Sequence, residues 1–196
     1  MLRTDATGGC SAPACTNLQR MNAASVSVPH VVVMGPSGAG KSLIGAALAE
    51  RLAARFPRLD FIDSDALHPP ANVAKMEAGI PLDDEDRRPW LLLVGESLAS
   101  GEYGRVIACS ALRRAYRDLI RRGCPDAAFL ELTAPLDELE DRVAHRPGHF
   151  MPAALLGSQL DALEPLEPDE RGARIENTGD VDAVVSRAIA ALEAGW

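Results

Sequence analysis

The stretch of sequence most informative about chemistry is a glycine-rich segment between an apolar run and an amphipathic helical pattern. It matches the complete G-x-x-x-x-G-K-[ST] pattern and reads Gly35-Pro36-Ser37-Gly38-Ala39-Gly40-Lys41-Ser42. Glycines let backbone N–H groups turn inward around phosphate oxygens, and the positive end of the following helix adds to the attraction. In such loops the lysine reaches the β- and γ-phosphates, and the serine hydroxyl ligates Mg²⁺. The segment therefore predicts a nucleoside triphosphate site rather than a plain strand-to-helix turn.

Two aspartates follow the next strand-like run, in the order Phe61-Ile62-Asp63-Ser64-Asp65. Ligands of open α/β sheets bind at the carboxyl ends of the strands, and residues two apart on a strand share a face. Our hypothesis is that Asp65 orients an acceptor hydroxyl and takes its proton. Asp63 would support the metal shell, through water or the P-loop serine. The alternative is helix capping, since Ser64 and Asp65 are good N-cap residue types.

Two arginines occupy positions that suit charge neutralisation. Arg142 and Arg146 lie four residues apart in one helical pattern that leads into the proline-rich stretch 147–172. Phosphoryl transfer often uses an arginine delivered by a closing segment. We therefore expect these two side chains to close over the triphosphate. The alternative is pairing with acidic residues on the same helix.

The elements that position these residues alternate along the chain. Strand-like runs occur at 31–34, 59–63, 105–109, 128–133 and, weakly, 174–177. Helical patterns occur at 41–55, 70–78, 88–100, 111–122, 135–145 and 181–193, with a short piece at 153–163. This alternation predicts an α/β fold of three layers, with a parallel five-stranded sheet, helices on both faces and a mobile lid at 147–172.

Composition narrows the class of protein. The 20 Lys and Arg against 28 Asp and Glu give a formal net charge of -8, the reverse of a generic nucleic-acid binder. No apolar run approaches the roughly 18 residues that cross a bilayer. Residues 1–28 are polar and aperiodic, so we expect a disordered tail, with Met21 as an alternative start, and one domain over 29–196. The four cysteines form no CxxC pair, and a cytoplasmic location is expected.

Three further segments are similar to motifs of the gluconokinase family. Residues 63–92 resemble its D-x-D-x-x-H-P, Asn/Lys helix, G-x-P-L-x-D-x-D-R and P-W-L pattern. Residues 109–118, Cys-Ser-Ala-Leu-Arg-Arg-Ala-Tyr-Arg-Asp, resemble its C-S-A-L-[KR]-x-x-Y-R-D motif, and residues 146–150 resemble its R-x-G-H-F lid motif. With the P-loop, these matches run in order over residues 31–150. The family usually has Gly where this chain has Ser64, and Asp-Ser-Asp also resembles shikimate kinase. Against shikimate kinase, no Gly-Gly-Gly turn follows the third strand.

The resemblance implies a P-loop kinase fold and ATP-dependent phosphorylation of D-gluconate to 6-phospho-D-gluconate, with Mg²⁺. It also suggests a homodimer. The pocket for a sugar acid needs cations together with hydrogen-bond donors and acceptors. Our candidates are Asp65, His68, Asn72, Lys75, Arg87, Ser110, Arg113 and His149.

These candidates have structural alternatives. His68, Asn72 and Lys75 are spaced four and three, so we expect them to lie on one helix face. Arg87 and Arg113 are the candidates for holding the carboxylate or the acceptor end. His68 suits capping or packing as well, Lys75 suits a solvated helix face, and Trp90 suits the core better than a substrate platform. Two functional alternatives stay open: another small-metabolite kinase such as shikimate kinase, and a non-catalytic nucleotide-binding module.

Overall fold

A computed structural model describes residues 29–145 and 153–194. The predicted tail at 1–28 lies outside the described residues. The five strands are β1 (His30–Met34), β2 (Asp60–Asp63), β3 (Arg105–Ala108), β4 (Ala128–Thr133) and β5 (Gly172–Glu176). They form one sheet in the order β2-β3-β1-β4-β5, and every neighbouring pair is parallel. All strands therefore present their carboxyl ends at the same edge, where β1 leads into the P-loop.

Helices cover both faces of this sheet. They are α1 (Lys41–Ala53), α2 (Pro70–Glu77), α3 (Asp84–Ala99), α4 (Arg114–Gly123), α5 (Leu136–Ala144), α6 (Ala153–Ala162) and α7 (Val181–Ala194). One core cluster contains residues of α1, α5, α6 and α7, and the other contains residues of α3 and α4. The predicted three-layer α/β architecture is confirmed. None of the helices in 29–145 and 153–194 is both long and apolar enough to span a bilayer.

Helix α3 begins at Asp84, four residues before the predicted start. The cause is a capping box: the Asp83 side chain accepts from the Asp86 N–H at 2.8 Å, and the Asp86 side chain accepts from the Asp83 N–H at 3.1 Å. Pro89 lies inside this helix. The cap lies upstream of the predicted start at residue 88, so the helix begins about one turn earlier.

Helix α4 begins later than predicted, because the chain after β3 first makes a tight turn. Ala111 has a φ of 39°, and Arg113 is extended at φ -101°. The backbone therefore departs from helical geometry until Arg114. This turn, residues 110–113, carries two of the predicted acceptor-site residues.

A buried ion pair fastens residues 163–171 to helix α4. Arg117 donates from Nε and Nη2 to the two carboxylate oxygens of Glu170 at 2.7 and 2.6 Å, and both side chains have no exposed surface. Arg121 adds a 2.6 Å bond to Glu170. The Glu164 N–H also donates to the Leu112 carbonyl at 2.8 Å. Residues 163–171, the last part of the predicted lid before β5, are thereby held against helix α4 and the turn at 110–113.

Candidate active site

The glycines of the P-loop adopt backbone conformations that other residues rarely take. Gly38 and Gly40 have φ values of 80° and 84°. A Cβ at Gly38 would lie 2.7 Å from the Leu139 carbonyl oxygen, and one at Gly40 would lie 2.5 Å from Nδ2 of Asn177. Asn177 also donates to the Ala39 carbonyl at 2.8 Å. The loop is therefore held closely by α5 and by the chain after β5.

Oxygen atoms already contact the donors of this loop. The Ser37 N–H donates to Oε1 of Gln159, on α6, at 2.7 Å. Lys41 Nζ donates to the Pro36 carbonyl at 2.9 Å, which places the ammonium over the loop. A phosphate oxygen would meet the same kinds of donor, so the loop is built as an anion cradle.

The P-loop is joined directly to the end of β2. Ser42 Oγ donates to Oδ2 of Asp63 at 2.6 Å, and the Asp65 N–H donates to Oδ1 of the same carboxylate at 3.2 Å. A hydroxyl beside a carboxylate is the oxygen-rich environment that Mg²⁺ prefers. Ser42 and Asp63 therefore fit a magnesium site completed by water and phosphate oxygens. The Ser64–Leu67 3₁₀ turn follows and exposes Asp65.

Cys109 is buried, and groups from both the P-loop and the turn of Asp65 affect the pKa of its thiol. Burial raises the pKa of its thiol to about 11, while a hydrogen bond with Ser64 and the charge of Lys41 act to lower that pKa and the charge of Asp65 to raise it. The P-loop cation and the predicted base lie at the same end of the sheet, because the parallel strands β1 and β2 lead into the loop of Lys41 and the turn of Asp65. The bond between Ser42 and Asp63 joins these two segments.

His68 packs against helix α3. Its ring stacks on Trp90, with centroids 4.1 Å apart and an interplanar angle of 17°. Burial lowers the pKa of His68, the nearby Arg87 lowers it further, and Asp65 acts in the opposite direction. His68 therefore follows the turn that carries Asp65 and packs on the helix that carries Arg87.

The other two residues of the predicted helix face bind the start of α3. Asn72 is buried, and its Nδ2 donates to the Asp86 carbonyl at 2.9 Å and lies 3.4 Å from Nδ1 of His68. Lys75 Nζ bonds to both carboxylate oxygens of Asp86 at 2.6 Å. The prediction that three residues share a helix face is wrong for His68, because α2 begins at Pro70 and His68 is extended before it. Asn72 and Lys75 do lie on α2, and their bonds to Asp86 hold α2 on α3.

The two predicted carboxylate-binding arginines converge on a carboxylate of the chain itself. Asp84 lies 3.1 Å from Nη1 of Arg113 and 3.8 Å from Nη1 of Arg87. Tyr116 Oη donates to Asp84 at 2.5 Å, and both guanidinium groups lie within 6 Å of the Tyr116 ring centroid, at 5.6 and 5.9 Å. These four side chains, Asp84, Arg87, Arg113 and Tyr116, form what we call the arginine pair site. It has the donors that a carboxylate ligand needs.

The remaining predicted residues divide between the P-loop and the helix α5 region. Ser110 is half-buried at the end of β3, and its carbonyl accepts from the Gly35 N–H at 3.3 Å. Arg142 donates to Glu138 at 2.5 Å and to the Asn177 carbonyl at 3.1 Å. Arg142 is thus linked to the P-loop through Asn177, whose side chain bonds to the Ala39 carbonyl. Arg146 and His149 lie outside the described residues.

Four side chains near the site were not among the predicted site residues: Trp90, Asp84, Tyr116 and Asn177. Trp90 and Tyr116 stand inside the family-like motifs, so their motif positions were the available signal. Asp84 belongs to the acidic run 83–86, which forms the cap and first turn of α3. Nothing in the sequence around Asn177 indicated that its side chain reaches the P-loop.

Comparisons with known proteins agree with the family resemblance of the motifs. No family model matches the chain. The thermosensitive gluconokinase of Escherichia coli is 43% identical over 160 residues, which are 80% of this chain and 83% of that protein. The gluconokinase of Gluconobacter oxydans is 43% identical over 168 residues, covering 84% of this chain and 91% of the relative.

Solved structures agree. The crystal structure of a gluconokinase from Sinorhizobium meliloti superposes with a TM-score of 0.75 at 43% identity, covering 85% of this chain and 93% of that one. A shikimate kinase from Acinetobacter baumannii gives a TM-score of 0.53 at 17% identity, which shows a shared fold alone. The chain belongs to the gluconokinase family.

Proposed function

We propose that this protein transfers the γ-phosphate of ATP to the 6-hydroxyl of D-gluconate, giving 6-phospho-D-gluconate and ADP. Relatives that are gluconokinases at 43% identity, over four fifths or more of the chain, support this activity. The structural observation that carries it is the 2.6 Å bond between Ser42 and Asp63, which joins the phosphate cradle to the turn that presents Asp65.

In the nucleotide half of the proposed site, residues 35–42 bind the phosphates. Backbone N–H groups of the loop and the ammonium of Lys41 balance charge on the β- and γ-phosphates. Ser42 and Asp63 would hold Mg²⁺ directly or through water. Magnesium, when bound, neutralises charge that develops on the transferred group.

In the acceptor half, Asp65 accepts the proton of the attacking hydroxyl. The oxygen of that hydroxyl forms the new bond to phosphorus while the bond from phosphorus to the β–γ bridging oxygen breaks, and ADP leaves with that electron pair. His68 and Ser110 are proposed to bind sugar hydroxyls. Asp65 is exposed, so a substrate can reach it.

The arginine pair site is the proposed anchor for the carboxylate of gluconate. Arg113 and Arg87 would exchange their contacts with Asp84 for bonds to the substrate. Asn72 and Lys75 bind Asp86 here, so we propose that they shape this pocket and reach substrate only if that contact opens.

Closure over the triphosphate is proposed for the predicted lid up to the end of α6, since residues 163–171 are held against α4 and Gly172 begins β5. Arg142, Arg146 and His149 are proposed to contribute. The contact of Arg142 with the Asn177 carbonyl supports its proximity to the cradle. Family likeness also suggests a cytoplasmic location and a homodimer. Light scattering on purified protein would test the homodimer.

An acceptor panel tests the activity. The protein is incubated with Mg-ATP and, separately, D-gluconate, related sugar acids, shikimate and nucleoside monophosphates, and ADP release is measured. Release that depends on gluconate is expected. Shikimate-dependent release would favour the other kinase class, and tight ATP binding without turnover on any acceptor would favour a nucleotide-binding module.

A further inference from the structure

Trp90 makes two contacts that act on different parts of the acceptor half. The indole Nε1–H donates to the Ser64 carbonyl at 2.9 Å. The face of the same indole stacks on His68 at 4.1 Å. The side chain is almost fully buried, at 4% exposure, so water cannot replace either contact readily.

The hydrogen bond controls the turn that presents Asp65. Ser64 is the first residue of the 3₁₀ turn and is itself buried. Its backbone lies directly between Asp63 and Asp65, which are bonded to each other at 3.2 Å. A shift of the Ser64 carbonyl would therefore move both carboxylates relative to the P-loop.

The stacking contact controls the ring of His68. Asn72 approaches Nδ1 of that ring at 3.4 Å from the neighbouring helix, and the charged groups that act on it are Asp65 and Arg87. Helix α3, which carries Trp90, also carries Arg87 and begins at Asp84. One rigid helix thus links the arginine pair site to the turn of Asp65.

We propose that Trp90 is a positioning residue for phosphoryl transfer, which holds Asp65 through the Ser64 carbonyl and His68 through its ring. This inference rests on the proposed function, since Asp65 and His68 matter to rate only in an acceptor site. A packing residue alone would give stability to α3 without controlling the acceptor kinetics.

The first test replaces Trp90 with Phe, which keeps an aromatic ring for His68 and removes the N–H donor. We expect kcat with gluconate to fall by about tenfold or more, because the Ser64 carbonyl loses the buried hydrogen bond that holds the turn of Asp65, with KM for ATP within about threefold. Val94→Ala, one turn further along α3 and fully buried, is the control for lost packing. It should lower the melting temperature while kcat and both KM values stay near those of the wild type.

A second measurement leaves Trp90 in place. The chain has two tryptophans, so Trp196→Phe leaves Trp90 as the single indole fluorophore. A protonated imidazole stacked on indole quenches its emission. We expect fluorescence to fall on acidification with a midpoint below 6.5, the ordinary pKa of histidine, and to lose that transition in the added His68→Gln variant. Saturating gluconate should shift the midpoint.

The outcomes separate this inference from the activity itself. Wild-type protein without gluconate-dependent ADP release would refute the proposed function, whatever the fluorescence shows. Active wild type together with unchanged kcat in Trp90→Phe, or emission that ignores both pH and gluconate, would overturn the positioning role. If Trp90→Phe does not fold, the effect of gluconate on the fluorescence midpoint decides, because packing alone does not couple Trp90 to the acceptor site, and a midpoint that gluconate leaves unchanged would overturn the positioning role.

Discussion

Ser42, at the start of α1, and Asp63, at the end of β2, share a hydrogen bond of 2.6 Å across the edge of the sheet. Strand β3 lies between β2 and β1, so this bond joins β2 to the helix that follows a non-adjacent strand. It fixes the P-loop and the turn that carries Asp65 relative to each other. A magnesium ion bound to Ser42 would therefore have the Asp63 carboxylate beside it.

The first prediction concerns this pair. Asp63→Asn keeps the shape of the side chain and removes its charge, so the magnesium concentration for half-maximal rate should rise by about tenfold, and kcat should fall. Steady-state rates over a magnesium titration measure this. Glu50→Gln, an exposed change on α1, is the matched control and should leave the titration unchanged. An unaltered magnesium dependence in Asp63→Asn would remove Asp63 from the metal shell.

The second prediction concerns Asp65. In Asp65→Asn the amide cannot take the hydroxyl proton, so kcat should fall by about 10² or more, while nucleotide affinity by calorimetry stays within about threefold. Glu77→Gln, at the exposed end of α2, should match the wild type in both measurements. Normal turnover in Asp65→Asn would assign the base to another residue.

The third prediction concerns the arginine pair site. Arg113→Gln removes one charged partner of the substrate carboxylate, and KM for gluconate should rise by about tenfold to a hundredfold with KM for ATP little changed. Arg122→Gln, an exposed change on α4, the helix that follows Arg113, controls for lost positive charge. Equal effects of the two variants on gluconate KM would argue against a carboxylate anchor at Arg113.

The fourth prediction concerns acid stability. Burial alone would raise the pKa of Glu170, but hydrogen bonds from Arg117 and Arg121 outweigh it and lower the pKa from 4.5 to about 2. The unfolded chain therefore binds more protons than the folded protein between these values, and stability should fall as pH drops from about 4.5 to about 2, by roughly 3 kcal/mol. Above pH 4.5 this contribution is fully present.

Denaturant unfolding at several pH values measures this dependence. Glu170→Gln should be less stable near neutral pH by about 3–5 kcal/mol, because buried Arg117 loses its partner, and its stability should change less over the acid range. Glu193→Gln, which removes an exposed ion pair between α7 and Arg55, should keep the wild-type pH profile. A Glu170→Gln profile as steep as that of the wild type would assign acid sensitivity to other carboxylates.

The sequence predicted the sheet and the P-loop well because both depend on local patterns. Buried apolar runs and a complete phosphate-binding motif can each be recognised from a few consecutive residues. The partners of Lys75 and Asn72 could not be predicted, because Asp86 reaches them only through the turn between α2 and α3. Likewise, Arg117 and Glu170 are 53 residues apart, and only the packed fold turns two ordinary charged residues into a buried pair.

The central claim is that the phosphate cradle around Lys41 and the carboxylate of Asp65 open into one cleft. A bisubstrate inhibitor, adenosine polyphosphate joined through its terminal phosphate to carbon 6 of gluconate, tests this directly when inhibition is measured against each substrate in turn. We predict competitive inhibition against both ATP and gluconate. Competition with only one of them, when the other is held near its KM, would contradict a shared cleft and with it the proposed in-line transfer.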